Sequence, residues 1–385
     1  MAAAYGADAV YLAGQMYGMR AFAGNFSHAE LPEAVNFCHA HGVRVHVTCN
    51  TTPRNDELIG LPDYLSYLQD IGIDALIIGD IGVLSLAKRY APKIKCHIST
   101  QASVTNYAAV QAWYDLGASR VILARELTLH EVREICDRRP KGLEIEAFVH
   151  GAMCVSYSGR CVLSNYMTDR DASRGACAQP CRYRYALMEE KRPGEFFPVD
   201  EDERGTYIFN SKDMCMIDHV PELLNAGLDS LKIEGRAKSA YYAAIVTGAY
   251  RHAIDAACAG EPLDPVWRTE LDKVSHRPYS EGFYYGHPEQ HTGDARYIRD
   301  WQVSAIVTSC DPHGRALLSL RNKFHRGEIL ELIGPNIKPI SFPVEDLCDA
   351  SGLPLEEARV PQMALRLTLP CQASPLSILR KKVNL

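Results

Sequence analysis

Cys154, Cys161, Cys177 and Cys181 follow one another as C-x6-C-x15-C-x3-C, in GAMCVSYSGRCVLS and GACAQPCRYRY. A fifth thiol, Cys215 in SKDMCMIDH, comes soon after. Sulfur at this density suits disulfides, a structural zinc, an iron–sulfur cluster or a nucleophilic thiol. Zinc sites favour C-x2-C or C-x4-C knuckles with histidine partners, and the x6 spacing fits them poorly. Iron–sulfur clusters tolerate wider spacings and take four thiolates. A catalytic thiol needs a base nearby, and His150 is the candidate. The odd total of 13 cysteines argues weakly against a disulfide framework. A metal or cluster site is therefore the reading, with iron–sulfur ahead of zinc. The eight scattered cysteines read as small buried hydrophobes.

LKIEGR puts Lys232, Glu234 and Arg236 at alternate positions of a strand, hence on one face. Charges turned into a protein are costly unless paired or used. They read either as a network that holds an anionic substrate or as a structural ion-pair network. Arg170, Arg174, Arg182 and Arg184 are interleaved with Tyr183 and Tyr185. Arginine with aromatics suits RNA, through phosphate contacts and base stacking. A solvated loop face is the plain alternative. Gln101 and Asn106, like Asn50 and Thr51, follow strand-like runs. They could meet a base edge or simply order a loop.

The elements that must position these groups alternate. Strand-like runs are DAVYLAG (8–14), VRVHVTCN (43–50), DALIIGD (74–80), KCHIST (95–100), RVILARE (120–126), LEIEAFVHG (143–151), TYIFNS (206–211) and DSLKIEGR (229–236). Helix-length segments lie between most of them. Several end at a glycine suited to a C-cap: Gly42, Gly72, Gly117 and Gly227. Apolar strands alternating with helices mean a parallel sheet covered on both faces. The repeat of about 20–30 residues favours a (β/α) TIM-type barrel. The chain opens on a helix end, AAAYGA, followed at once by a strand. The barrel is therefore expected either to lack its first strand or to have one of the eight runs, TYIFNS first, in an insertion. The Cys-rich insert, at about 152–204, follows a strand and belongs at the C-terminal mouth of the barrel, where active sites of this fold collect. The barrel spans 1–295. From 300 to 385 short alternating strands with Gly and Pro turns predict a small antiparallel β-barrel.

Composition fits a globular protein: 385 residues, 47% apolar and 23% charged. No apolar run nears the ~18–20 residues of a membrane span. The start, MAAAYGADAV, lacks the basic and apolar regions of a secretory signal, so a cytoplasmic location is expected. The net charge of −6 speaks against broad nucleic-acid binding but not against a local basic patch.

The segment from Glu146 through His150, Gly151, Cys154, Gly159, Arg160 and Cys161 to Ser164 resembles the signature of peptidase family U32, the collagenase-like family. DAVYLAG, STQASVTN, GACAQPCR and NSKDMC…LKIEGRAKSAYY extend the likeness over essentially the whole chain. An ELLAPAG-like first strand, usual in the family, is missing. The peptidase name fits these residues badly, since neither a Ser–His–Asp order nor an HExxH site is present. The resemblance implies hydroxylation by [4Fe–4S] proteins, and its tRNA branch implies prephenate-dependent formation of 5-hydroxyuridine at the wobble position. It implies Cys154, Cys161 and Cys177 as cluster ligands, with Cys181 or Cys215 as the fourth. The expected partners are a tRNA anticodon loop and prephenate, with no DNA and no membrane. Arg160 and Arg236 become the candidates for prephenate's two carboxylates, and His150, Glu234 and Lys232 the catalytic candidates. A collagenase-like peptidase and a noncatalytic RNA-binding or maturation factor are the rivals.

Overall fold

The computed structural model describes all residues except 21–23, 155, 183–186, 189–195, 198–200, 203–204, 207–211, 289–296 and 384–385. The chain packs as two units. One holds Asp8–Lys238 and Arg277–Tyr297; the other holds Met1–Ala7, Ser239–His276 and Ile298–Leu385.

The first unit is built on a parallel sheet. Strands β1 (Ala9–Leu12), β2 (Arg44–Cys49), β3 (Ala75–Ile78), β4 (Lys95–Ile98), β5 (Arg120–Ile122) and β6 (Glu144–Ala152) pair in chain order, each parallel to the next. Helices α1 (Glu30–Ala40), α2 (Leu61–Asp70), α3 (Ile81–Tyr90), α4 (Tyr107–Asp115) and α5 (Leu129–Arg138) alternate with them. Strand propensity and burial agree: Ala75–Ile78 is buried on both faces, as a helix-covered parallel strand must be. Polar caps start three of the helices. Asp80 accepts from Val83 N, Asn106 from Ala109 N, and Thr128 forms a capping box with Glu131.

After β6 comes the insert, carrying the short helix α6 (Leu163–Thr168). Strand β7 (Asp213–Cys215) returns antiparallel to the end of β6 and pairs on its other side with β9 (Tyr279–Ser280). Strand β8 (Ser230–Ile233), reached through α7 (Val220–Asn225), lies parallel to β6. The (β/α) pattern is thus present, in the order β1 to β6 and then β8. Among the described residues no ladder joins β8 or β9 back to β1, so the sheet is open. Gly205–Thr206 pairs with Glu201–Asp202 as a separate ribbon, and 207–211 lie outside the described residues.

The second unit joins α8 (Ala240–Ala259) and α9 (Pro265–Glu270) to the C-terminal strands. These are β10 (Trp301–Cys310), β11 (Arg315–Leu320), β12 (Phe324–His325), β13 (Ile329–Gly334), β14 (Ile337–Pro343), β15 (Cys348–Asp349), β16 (Glu357–Ala358), β17 (Ala364–Thr368) and β18 (Ile378–Lys382). Seven form one antiparallel sheet, ordered β14-β13-β18-β10-β11-β17-β15, and β12 pairs with β16. The antiparallel expectation holds as a sheet, and its described ladders do not close into a barrel. Leu318, Leu320, Phe324, Leu330, Leu332, Leu365 and Leu379 fill its core. Among the described residues no helix is long and apolar enough to cross a membrane.

Candidate active site at the strand ends

The carboxyl ends of parallel strands are where open α/β sheets and barrels gather ligands. Here they meet in a cleft enclosing about 540 Å³, part of it open solvent. Strand β1 contributes Tyr11, β2 Thr48, β3 Ile77, β5 Ile122, β6 Phe148 and β8 Lys232. The loops just beyond add Arg20, Asn50, Gln101, Arg125, Glu234 and Arg236. Four cations therefore face one lining carboxylate.

Each cation has a different hold. Arg236 Nη1 donates to Thr48 Oγ1 at 3.1 Å, while its Nε and Nη2 are enclosed without a protein partner. Burial lowers its pKa, against the opposing effects of Tyr11 and Glu234. Arg125 Nη1 donates to the Ala152 carbonyl at 2.9 Å and Nη2 lies 3.3 Å from Cys154 Sγ. Its guanidinium sits 5.2 Å from the Phe148 ring centre, and its Nε is unpartnered. Arg20 is brought in by a loop that Asn50 pins, its Oδ1 accepting from Met19 N at 3.1 Å. The Glu234 charge raises the Arg20 pKa, with burial opposing and Cys154 adding. Burial would push the Glu234 carboxyl up, but Arg20 and then Arg125 hold it below its usual range.

Beneath Lys232 lies an ionic layer. Lys232 Nζ donates to Glu146 Oε1 and Arg120 Nη1 to Glu146 Oε2, both at 2.7 Å. Arg120 also grips Glu144 Oε2 through Nε and Nη2, at 2.8 and 2.6 Å. Burial opposes ionisation of Glu146, yet Lys232 and Arg120 prevail and its pKa falls far below the usual carboxylate range. His46 and His97 pack edge to face, ring centres 4.7 Å apart. Burial depresses both, His46 to about 4 and His97 further, so both are neutral.

The insert is docked over this cleft by close backbone approaches. Gly159, at φ +75°, lies where a Cβ would come within 2.1 Å of the Gln101 carbonyl oxygen. Just before the insert, Gly151 on β6, at φ +117°, meets the Glu234 carbonyl in the same way, at 2.5 Å. Only glycine fits either place. Ser158 N donates to Glu126 Oε1 at 2.8 Å, and Thr52 N to the Ser173 carbonyl at 3.1 Å.

Two family models match this chain. Peptidase family U32 covers residues 1–294, and its C-terminal domain covers 299–380. The chain belongs to peptidase family U32. It is similar to "tRNA hydroxylation protein P1" of Bacillus subtilis (strain 168), 38% identical over 384 residues, 98% of this chain and 90% of that one. It is also similar to "tRNA hydroxylation protein P" of Escherichia coli (strain K12), 38% identical over 392 residues, covering 91% and 86%. A third relative, "23S rRNA 5-hydroxycytidine C2501 synthase" of the same strain, is 37% identical over 66% of this chain and 37% of its own length.

The family motifs are now placed. Lys232, Glu234, Arg236 and Gln101 meet in the cleft. His150 does not; it is buried on β6 with its ring 5.4 Å from that of Tyr279, which takes it away from the cleft lining. Arg160 is exposed on the insert and is likewise absent from the lining, where Arg20 and Arg125 stand instead. The Asn106 side chain caps α4, its Oδ1 accepting from Ala109 N at 2.9 Å, and it is absent from the cleft lining. Arg174 pairs with Glu57, Nη2 to Oε1 at 2.5 Å, which ties the insert to the loop after β2. Arg170 is exposed, its Nε donating to the Ala176 carbonyl at 3.0 Å. Tyr183, Arg184 and Tyr185, with the Arg182 side chain, lie outside the described residues. Asp213 is buried against Arg277, with Lys238 at 3.7 Å.

Cys154 is exposed, Cys161, Cys177 and Cys181 are half-buried, and Cys215 is buried on β7 opposite His150. Gln179 N donates to Cys177 Sγ at 3.3 Å. Four thiols on one insert, with a guanidinium against the first, are a donor set whose chemistry fits a thiolate-held cluster. Among the described residues no group of three His, Cys, Asp or Glu side chains is gathered as a preformed metal site.

Proposed function

We propose that this chain hydroxylates the wobble uridine of tRNA to 5-hydroxyuridine, with prephenate as co-substrate and a [4Fe–4S] cluster, in the cytoplasm. The observation that carries the reading is the cleft's unsatisfied positive charge. Arg236 Nε and Nη2 and Arg125 Nε are buried donors with no protein acceptor. Leaving such groups unmade is expensive, and a carboxylate is the acceptor a guanidinium fork fits best. Prephenate supplies two. The relatives' names supply the RNA side of the reading.

In this scheme Arg236 and Arg125 orient the co-substrate, while Arg20 holds Glu234 ionised beside it. The anticodon loop brings a base that is already cheap to unstack, and the strand-end cleft receives it. Gln101 and Asn50 stand at the rim to meet polar edges. Cys154, Cys161 and Cys177, with Cys181 or Cys215, would hold the cluster. When bound, a cluster of this kind supplies one-electron transfer.

The test joins two measurements. Iron and acid-labile sulfide are counted on anaerobically purified protein, wild type against Cys154→Ser and Cys161→Ser. tRNA nucleosides are read by mass spectrometry in a deletion strain complemented with wild type or Arg236→Ala. About four iron and four sulfide per chain are expected, lost in both cysteine variants, with 5-hydroxyuridine restored by wild type alone. A metal-independent cleavage of denatured collagen would favour a peptidase. Unchanged nucleosides on deletion would favour an accessory RNA-binding protein.

A further inference from the structure

The same reading of the cleft leaves one group unexplained. Glu146 touches no ligand space, yet its carboxylate is held from the two strands that flank its own. On β8, Lys232 Nζ and Ser230 Oγ donate to it at 2.7 and 2.9 Å. On β5, Arg120 Nη1 donates at 2.7 Å, and that arginine is itself fixed by Glu144. Glu146 and Arg120 are each 4% exposed and Lys232 9%. The Lys232 ammonium also rests 4.4 Å from the Tyr11 ring centre and 5.7 Å from that of Phe148, both cleft walls.

We propose that Glu146 is a positioning residue that anchors the Lys232 ammonium on the cleft floor, where it meets the anionic co-substrate as a charge. This rests on the co-substrate reading above. An ammonium has three protons; Glu146 takes one, and the aromatic walls leave donors turned to the cleft. The neighbours act in both directions: Glu146 and Glu234 favour the charged ammonium, Arg120, Arg236 and Arg20 oppose it, and the others are neutral. On β1, Tyr11 is buried and un-ionised. On β2 and β4, His46 and His97 are neutral. On β5, Arg120 is already shared between Glu144 and Glu146. Beyond β8, Glu234 is ionised and offsets Arg236 and Arg20. Removing the Glu146 charge would leave Lys232 as a desolvated cation, the condition under which buried lysines give up their proton.

The experiment compares wild type, Glu146→Gln and Lys232→Arg as full chains. Prephenate binding is followed by calorimetry from pH 6 to 9, Lys232 modification by reductive methylation and mass spectrometry at pH 7.5, and folding by thermal melting. Wild type should bind evenly across the range with Lys232 nearly unlabelled. Glu146→Gln should label Lys232 at least tenfold faster, and bind about tenfold more weakly at pH 8.5 with recovery toward pH 6. Lys232→Arg, whose cation does not lose its proton, should bind more weakly than wild type but evenly from pH 6 to 9. A Glu146→Gln protein that melts earlier but labels and binds as wild type overturns the proposal. So does a folded Lys232→Arg protein whose prephenate binding falls with pH as that of Glu146→Gln is expected to do. Should Glu146→Gln fail to fold, the arginine variant decides alone. Absence of prephenate binding by wild type would sink the co-substrate reading, while labelling still reports on the Glu146–Lys232 pair.

Discussion

Both units bury ionic clusters, and the two clusters differ in balance. In the C-terminal unit Arg380, fully enclosed, meets Glu270 at 2.5 Å and also pairs with Glu331. Lys273 reaches the same two carboxylates, at 2.9 and 3.0 Å. Tyr241 Oη accepts from Arg380 Nη1 at 2.9 Å. Two cations meet two anions, and every arginine nitrogen that bonds does so within the protein. The strand-end cleft sets Arg20, Arg125, Lys232 and Arg236 against Glu234, with Glu146 beneath. There three guanidinium nitrogens have no protein acceptor. A balanced cluster is complete as folded. An unbalanced one is complete only with an anion supplied from outside.

That contrast breaks most sharply at its two arginines. Arg380→Leu should cost about 3–5 kcal/mol, because it leaves buried carboxylates short of a partner. A urea melt of the variant would show it, and prephenate binding by the surviving folded fraction should not change. Arg236→Met should behave in the opposite way. Its removal takes away unsatisfied donors, so stability should shift by less than about 1 kcal/mol. Prephenate affinity should fall roughly 10- to 100-fold, the worth of hydrogen bonds to a charged group. Equal stability losses in both variants would erase the distinction between the two clusters.

The ionic layer under the cleft makes a pH prediction. His46 is held neutral, its pKa depressed from 6.5 to about 4 by burial. The unfolded chain binds a proton below about pH 6.5 that the folded chain refuses. Stability is therefore full above pH 6.5 and declines as pH falls toward 4, by about 3 kcal/mol in all. His97 acts in the same direction. His46→Asn should remove about half of the urea-melt stability change between pH 6.5 and 5, with His97 supplying the rest, in a window above the ordinary titration of carboxylates. A wild-type curve already flat there would mean that water reaches this layer.

What could be read from the sequence follows from what is local. LKIEGR pointed to Lys232, Glu234 and Arg236 as one group, and the structure brings all three to one cleft, but the strand ends at Ile233, so Glu234 and Arg236 arrive from the loop beyond it and not by strand period. The alternation of strands and helices was legible because each element's period is local. Arg20 was not. It reaches the cleft because Asn50, thirty residues on, fixes the Met19 amide, and its own φ is +75°. Asp213 and Arg277 are 64 positions apart, so a buried pair between them leaves no spacing signal. Arg160 is exposed beside Gly159, whose backbone packs on Gln101, so its place outside the cleft lining is set by a long-range contact that its motif does not state. The open edge of the parallel sheet is likewise a property of pairing, which no strand states about itself.

The smallest expected effect tests the same idea on one connection. Gln101 and Asn106 both follow β4, and in sequence the two are alike. In the structure they part. Asn106 Oδ1 accepts from Ala109 N at 2.9 Å, so its side chain is a helix cap. Gln101 lines the cleft, in a short 3-10 turn (Thr100–Ala102) whose start Ser99 caps. Asn106→Ala should therefore lose about 1 kcal/mol of stability, the usual worth of an N-cap, and leave prephenate binding and tRNA modification unchanged. Gln101→Ala should do the reverse, with stability near wild type and affinity for prephenate or tRNA reduced a few-fold. Thermal melts and calorimetry on the pair decide it. A binding loss in Asn106→Ala at unchanged stability would extend the cleft to the start of α4, and the cap would then be secondary to recognition.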